Sequence, residues 1–248
     1  AFIGAGSLDF TKDLVRDILT FDAFKDAELM LMDINPKRLA YAKKGIQKIV
    51  SAGHYPAVVK ATTDRREALK DADGVLITIL QGGVDVWRYD IEIPKKYNID
   101  ICVGDTRGPS GIFRFLRTAP VILDIVRDAE EVCPNAIILN YTNPMAMLVS
   151  YLQSMSKMNI TGLCHSVQGT AAMIAEWIGA EDKKVDYTCA GINHQAFYLD
   201  YKVDGRDAYP DIYKAIERKE IAEEEPVRIE MFKKLGYFMT ESSGHNSE

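Results

Sequence analysis

The chain has 248 residues, 47% hydrophobic and 27% charged, enough to bury a core as one large or two modest α/β units and unlike a disordered or fibrous composition. A formal net charge of −6, with no run of like charge longer than Glu223-Glu224-Glu225, argues against nucleic acid as a partner, and no apolar run approaches the roughly 18–20 residues of a membrane-spanning helix. The cysteines, at 102, 133, 164 and 189, are too widely spaced for a zinc module or a secreted disulfide framework, which predicts a reducing cytoplasm.

Ala1-Phe2-Ile3 reads as the last part of a buried strand already under way, so residues are expected upstream. Gly4-Ala5-Gly6-Ser7 then forms a glycine turn, followed by a helical pattern through Leu14, Val15, Ile18 and Leu19. This is the opening of a dinucleotide fold: Gly4 makes the tight turn, and Gly6 lets backbone amides approach a pyrophosphate at the helix N-terminus. Asp9 stands where a third glycine is usual. Glu28–Asp33 is a second apolar strand ending in an acid, placed where a carboxylate takes the adenosine ribose hydroxyls and repels a 2′-phosphate, so NAD is expected rather than NADP. The alternative is a turn followed by a surface aspartate.

Pro36 opens a helix to about Ser51, residues 57–62 form a strand, and residues 74–80 are a β-branched run that ends at Gln81-Gly82-Gly83. Residues 101–109 close in a glycine-containing turn before a long helix carrying Arg114 and Arg117, each either a ligand contact or a solvated helix charge. A further buried strand from Ala136 ends in Asn140-Tyr141-Thr142-Asn143-Pro144, whose amides either orient cofactor and sugar or cap the helix that Pro144 begins.

Gly162-Leu163-Cys164-His165-Ser166 and Gly191-Ile192-Asn193-His194 each put a metal-competent side chain at the end of an apolar run. The thirty residues between Cys164 and His194 match one strand, helix and strand, with the helix from about Val167 to Ile178 and the second strand over residues 185–192. In a parallel sheet that excursion returns the chain to the same edge, so the thiolate and imidazole are predicted to meet over one divalent metal. A buried spectator Cys and a hydrogen-bonded structural His are the alternatives. Gln195–Val203 alternates like an antiparallel strand with Gly205 in the turn, and the pattern then becomes charged, helical and irregular. The expected division is therefore a nucleotide domain over residues 1–194 and the start of a mixed α+β substrate or oligomerisation domain over 195–248, continuing past the polar segment 240–248. Tyr209–Tyr213 suggests exposed aromatic surface and a homo-oligomer, a dimer or tetramer.

Residues 3–7 (IGAGS), 31–35 (LMDIN), 104–106 (GDT), 111–117 (GIFRFLR), 140–144 (NYTNP), 163–166 (LCHS) and 191–194 (GINH) together resemble glycoside hydrolase family 4, over essentially the whole chain. The resemblance implies a lactate/malate dehydrogenase-like, doubly wound Rossmann fold and a glycosidase dependent on NAD and manganese or another divalent metal. The implied reaction oxidises sugar C3 with NAD, removes the C2 proton, expels the glycosidic oxygen, adds water and returns the hydride, without the carboxylate pair of ordinary glycosidases. Cys164 and His194 would hold the metal, and Gly4, Gly6, Ser7, Asp33, Asn35 and Asn140 the cofactor. Asn143, Asp105 and Arg114 would contact the sugar.

The Cys-His-Ser sequence is similar to the α-galactosidase branch, whereas 6-phospho-glycosidases tend to carry Cys-Asp or Cys-Asn. His165 is thus the catalytic candidate that departs from the phospho-sugar pattern, and which group protonates the leaving sugar stays open. Tyr237 is the candidate C2 base, with a tyrosine beyond Glu248 as the alternative. Two other functions fit the first 150 residues: an NAD-dependent 2-hydroxy-acid dehydrogenase, which would favour a Gly-x-His-Gly setting over Gly-Ile-Asn-His, and a non-catalytic NAD-binding sensor.

Overall fold

The computed structural model describes residues 1–247. In chain order it contains β1 (Phe2–Ile3), α1 (Leu8–Thr20), β2 (Glu28–Met32), α2 (Pro36–Ala52), β3 (Val58–Thr62), α3 (Arg65–Leu69), β4 (Gly74–Ile77) and α4 (Gly83–Lys95). Then come α5 (Gly108–Val132), β5 (Ile137–Asn140), α6 (Met145–Met155), β6 (Asn159–Gly162), α7 (Ser166–Trp177), β7 (Val185–Ile192), β8 (Gln195–Val203) and β9 (Arg206–Asp207). The described chain ends with α8 (Tyr209–Ala215), α9 (Lys219–Glu224), α10 (Pro226–Leu235), β10 (Phe238–Met239) and α11 (Ser243–Asn246). Two compact units emerge, Ala1–Trp87 with Phe113–Leu163 and Arg88–Ile112 with Cys164–Glu248.

The first unit is a six-stranded parallel sheet in the order β3-β2-β1-β4-β5-β6, the Rossmann arrangement. Its strands are short apolar runs because helices cover both faces, one of them built on Ile77, Ile122, Val126 and Leu148 and the other on Leu19, Leu31 and Ile46. Each such side chain contributes about 1.5–3 kcal/mol on burial. The order reverses between β1 and β4, so the Gly4–Ser7 turn leaves β1 at the switch point where ligands of such sheets bind.

The second unit holds an antiparallel sheet, β10-β8-β7, with β9 on β8. Here the structure differs from the sequence-based expectation. β7 does not return to the parallel sheet, because a two-residue turn joins it to β8 and the two strands satisfy each other's backbone groups over residues 185–203. The expected boundary at residue 195 falls inside this hairpin, and the second compact unit takes in Arg88–Ile112 as well as the chain from Cys164 onward.

Tyr198 and Tyr201 of β8 are fully buried and send their hydroxyls to the carbonyl oxygens of Val167 and Ala171 on α7. Both hydroxyls are satisfied, so burial of the rings carries no orphaned donor. The helix that follows Cys164 and the strand that follows His194 are thereby fixed to each other. Tyr209 is also tied inward, its hydroxyl donating to Tyr198 O, and of the pair Tyr209 and Tyr213 only Tyr213 is an exposed aromatic. Among the described residues no helix is long and apolar enough to cross a membrane.

Candidate active site

In the first unit Gly4 has φ +92°, and a Cβ there would stand 2.7 Å from Thr78 O. At Gly6 a Cβ would stand 2.5 Å from Asp33 Oδ2, because the Gly6 N–H donates to that oxygen at 2.8 Å. The other oxygen, Oδ1, accepts the Asn35 N–H at 2.8 Å. Asp33 therefore closes the turn with two of its roughly four acceptor positions. Ser7 is the N-cap of α1 without a side-chain cap bond. Gly4, Gly6, Ser7 and Asp33 are thus brought together.

Asn35 lies beside them, but its side-chain oxygen caps α2 by accepting from Lys37 N and Arg38 N. Asn140 is fully buried with both ends of its amide engaged by Thr142. Asn143 accepts the Met145 N–H at 3.3 Å, consistent with the capping alternative. Arg114 is no solvated helix charge. It is buried, donates from Nε to Asn143 O at 3.1 Å and lies 5.0 Å over the Trp87 ring. Arg117 donates to Gln81 O, so the two arginines of α5 each hold a loop that follows a sheet strand.

In the second unit Cys164 Sγ lies 3.4 Å from His194 Nε2 and 3.3 Å from Ser166 Oγ. His194 occupies the second position of the β7–β8 turn with φ +58°, a left-handed conformation in which a non-glycine residue is uncommon. Its ring is 5% exposed as a residue, and burial, aided by the charge of His245, holds the imidazole down to about 4, well below the usual histidine range. A neutral imidazole is what a metal requires.

Glu241, 2% exposed, follows β10 and completes a set in which one ligand atom each of Cys164, His194 and Glu241 lie within 4.8 Å of one another. Burial pushes its carboxyl up, opposed by a hydrogen bond with Ser166. A second group adjoins it. Asp105, His194 and His245 also gather their ligand atoms within 4.8 Å, with the two imidazole rings 4.2 Å apart. Thiolate, imidazole and carboxylate suit a borderline-soft divalent cation.

Asp105, predicted as a sugar contact, thus sits beside His194. His165 is exposed at the start of α7. Tyr237 is exposed between α10 and β10 and has Tyr209 as a neighbour. Sequence reading missed Glu241, His245 and Thr106. The first two carried a signal in their i, i+4 spacing within a polar segment; Thr106 stood in the 104–106 (GDT) motif without a role of its own.

Fold and cluster define a class: Rossmann-like α/β proteins whose chain also carries a half-buried thiol beside a buried imidazole and carboxylate in metal-ligating array. The chain belongs to the family 4 glycosyl hydrolases. The pattern of that family matches residues 1–180, and that of its C-terminal domain matches residues 189–248. The chain is 43% identical to an α-galactosidase of Rhizobium meliloti (strain 1021) over 251 aligned residues, covering 100% of this chain and 51% of the relative. It is 41% identical to an α-galactosidase of Bacillus subtilis (strain 168), covering 100% of this chain and 58% of that one. This chain therefore spans about half the length of the curated relatives it matches. Among solved structures, a 6-phospho-alpha-glucosidase from gut microorganisms in complex with NAD and Mn²⁺ superposes with a TM-score of 0.83 at 22% identity, over 99% of this chain and 59% of that one.

Proposed function

We propose that this chain is the NAD- and metal-binding portion of a cytoplasmic, homo-oligomeric glycosidase that cleaves α-galactosides by oxidation at C3 and proton removal at C2. The observation that supports this most is that Cys164, His194 and Glu241 offer ligand atoms within 4.8 Å in the same chain as a Rossmann sheet whose Gly-x-Gly turn is closed by Asp33. A hydroxy-acid dehydrogenase or an NAD sensor has use for the second feature and none for the first, and neither is favoured by the family.

Bound NAD would supply a hydride acceptor and a divalent cation would polarise adjacent sugar oxygens, the chemistry the two groups bring. The protein's part is to hold and orient. Asp33 accepts from the ribose hydroxyls and disfavours a 2′-phosphate, while Gly4, Gly6 and Ser7 let the pyrophosphate approach the N-terminus of α1. Cys164 and His194, joined by Glu241, would hold the cation. Arg114 and Asn143, locked to each other, present donors and acceptors to sugar hydroxyls. His165, next to Cys164 and open to solvent, is the candidate proton donor to the departing oxygen. Tyr237 or a tyrosine beyond Glu248 is the candidate C2 base.

The test is hydrolysis of an α-galactoside in D₂O with NAD and Mn²⁺. The product is expected to carry deuterium at C2 with no net NADH, and a 3-deoxygalactoside is expected to be inert. Cleavage of the 3-deoxy substrate with no deuterium in its product would overturn the reading in favour of direct displacement at C1.

A further inference from the structure

His194 offers a cation one ring nitrogen at most, and its surroundings decide which. Nε2 faces Cys164 Sγ at 3.4 Å, and Nδ1 lies 2.7 Å from Thr106 Oγ1. The Thr106 hydroxyl has a single proton, and it donates that proton to Asp105 Oδ1 at 2.6 Å. A carboxylate has no proton to give back. The hydroxyl therefore turns a lone pair to His194, and the contact at 2.7 Å is a hydrogen bond when Nδ1 carries the ring proton. In a neutral imidazole that leaves Nε2 bare, on the side where Cys164 stands. Thr106 and His194 are 4% and 5% exposed, so water competes poorly for either group.

The backbone holds this arrangement from both sides. Gly104 turns with φ +66°, and Gly111 N donates to Arg107 O; a Cβ at Gly111 would lie 2.6 Å from the Thr106 carbonyl carbon, so α5 starts hard against the threonine. His194 is held by the β7–β8 hairpin. His245, Arg107 and Glu241 also face the ring, and Asp105 Oδ1 itself stands 3.9 Å from Nδ1; that distance, like the 3.8 Å from His245 Nε2 to the same Asp105 oxygen, is too long for the hydrogen bond that Thr106 makes.

We propose that Thr106, oriented by Asp105, is a positioning residue that fixes His194 as its Nδ1–H tautomer and so presents Nε2 to the cation shared with Cys164. The inference rests on the metal reading given under Proposed function. It changes the role of Asp105 from sugar contact to outermost member of a carboxylate, hydroxyl and imidazole chain that ends at the metal ligand. Partners of this kind set ligand orientation and basicity, and their loss typically weakens metal affinity about 10–100-fold.

Two measurements decide it. In ¹⁵N-histidine-labelled, metal-free protein, long-range ¹H–¹⁵N spectra are expected to give His194 a protonated Nδ1 and a bare Nε2. Calorimetric titration with Mn²⁺ is expected to show Thr106→Ser binding nearly as wild type, and Thr106→Val binding about tenfold or more weakly. In Asp105→Asn the side-chain amide can donate to the hydroxyl, which then turns its own proton to Nδ1, so the Nε2–H tautomer and weakened binding are expected. Cys164→Ala separates this inference from the metal reading. If Cys164→Ala binds Mn²⁺ as wild type does, the metal reading fails. If Cys164→Ala loses Mn²⁺ while Thr106→Val retains it, or if wild-type His194 is protonated at Nε2, the role of Thr106 is overturned. Should Thr106→Val not fold, the wild-type spectrum and the Asp105→Asn titration distinguish the two outcomes.

Discussion

The Sγ of Cys164 and the Nε2 of His194 stand 3.4 Å apart across a separation of thirty residues, inside one compact unit and without a disulfide or shared strand to force the approach. What holds them is the packing of α7 on β8 through the Tyr198 and Tyr201 hydroxyls. Two groups that ligate one cation act as a unit, so their substitutions are not additive. Cys164→Ser and His194→Gln are each expected to abolish tight Mn²⁺ binding, and the double variant to lose little more than either single one. Metal content after gel filtration, measured by atomic absorption, checks this. Additive losses would mean that the two side chains do not share an ion.

Asp33 is tied to Gly6 by a hydrogen bond of 2.8 Å, so in the proposed cofactor site nucleotide preference and turn geometry would be one property. NAD is expected to bind far more tightly than NADP, since a 2′-phosphate would meet the carboxylate at short range. Asp33→Ser removes that repulsion and is expected to narrow the ratio. Gly6→Ala sets a methyl 2.5 Å from Asp33 Oδ2 and is expected to lose both nucleotides by distorting the turn. Calorimetry with NAD and NADP tests the set, and equal wild-type affinities would count against the assignment of Asp33.

The buried His194 gives the metal-free protein a defined acid response. An unfolded histidine titrates near 6.5, and burial brings the folded group to about 4. Between these values the unfolded chain binds the proton and the folded chain does not, so stability rises with pH. The contribution is complete above 6.5 and is lost as pH falls from there toward 4. Glu241 has the opposite sign: burial raises its folded value, so keeping it ionised costs stability above that value, a cost a bound cation offsets. The gain in melting temperature on adding Mn²⁺ is therefore expected to be larger at pH 7.5 than at pH 5. Without metal, wild type is expected to lose more stability than His194→Gln over pH 6.5 to 4.5. Parallel melting curves for the two proteins would show that His194 is not held neutral.

Local signals made the first unit legible. Glycines in a turn, an apolar strand ending in Asp33 and a proline opening α2 are short-range features, and the sheet built from them has the order they imply. The meeting of Cys164 and His194 was legible too, but by another route. A parallel return was expected; the structure achieves the contact with an antiparallel hairpin, whose turn carries Asn193-His194 where Asn-Gly is the usual signal. Asp105, Thr106, Glu241 and His245 reach the cluster through long-range packing, with Thr106 and His194 88 positions apart in the chain. No periodicity in a single sequence encodes such a contact. Arg114 and Asn140 were visible as polar residues at the right ends of elements, but whether each faces a ligand or the protein depends on partners that only the fold supplies.

The loop that carries Glu241 and His245 is anchored by an ion pair between buried Arg228 and partly buried Glu225. Arg228, 3% exposed, donates from Nε to Glu241 O, and its Nη1 stands 3.6 Å from Glu225 Oε1. Glu225 Oε2 accepts from both the backbone N and the hydroxyl of Ser243, at 2.7 and 2.8 Å. Breaking a buried pair by removing one partner typically costs about 3–5 kcal/mol, and here the partial exposure of Glu225 and the nearby Glu241 carboxylate reduce that cost, whereas replacing both by neutral groups of similar shape is milder still. Arg228→Met and Glu225→Gln are each expected to be destabilised in urea unfolding, and the double variant to be more stable than the sum of the two predicts. The loop is expected to respond beyond stability. In the double variant, folded but without the Arg228 contact to the Glu241 carbonyl, Mn²⁺ affinity should fall while NAD affinity, set by Gly6 and Asp33, stays at the wild-type value. Loss of both affinities in parallel would mean that the pair supports the whole fold and has no particular hold on the Glu241 loop.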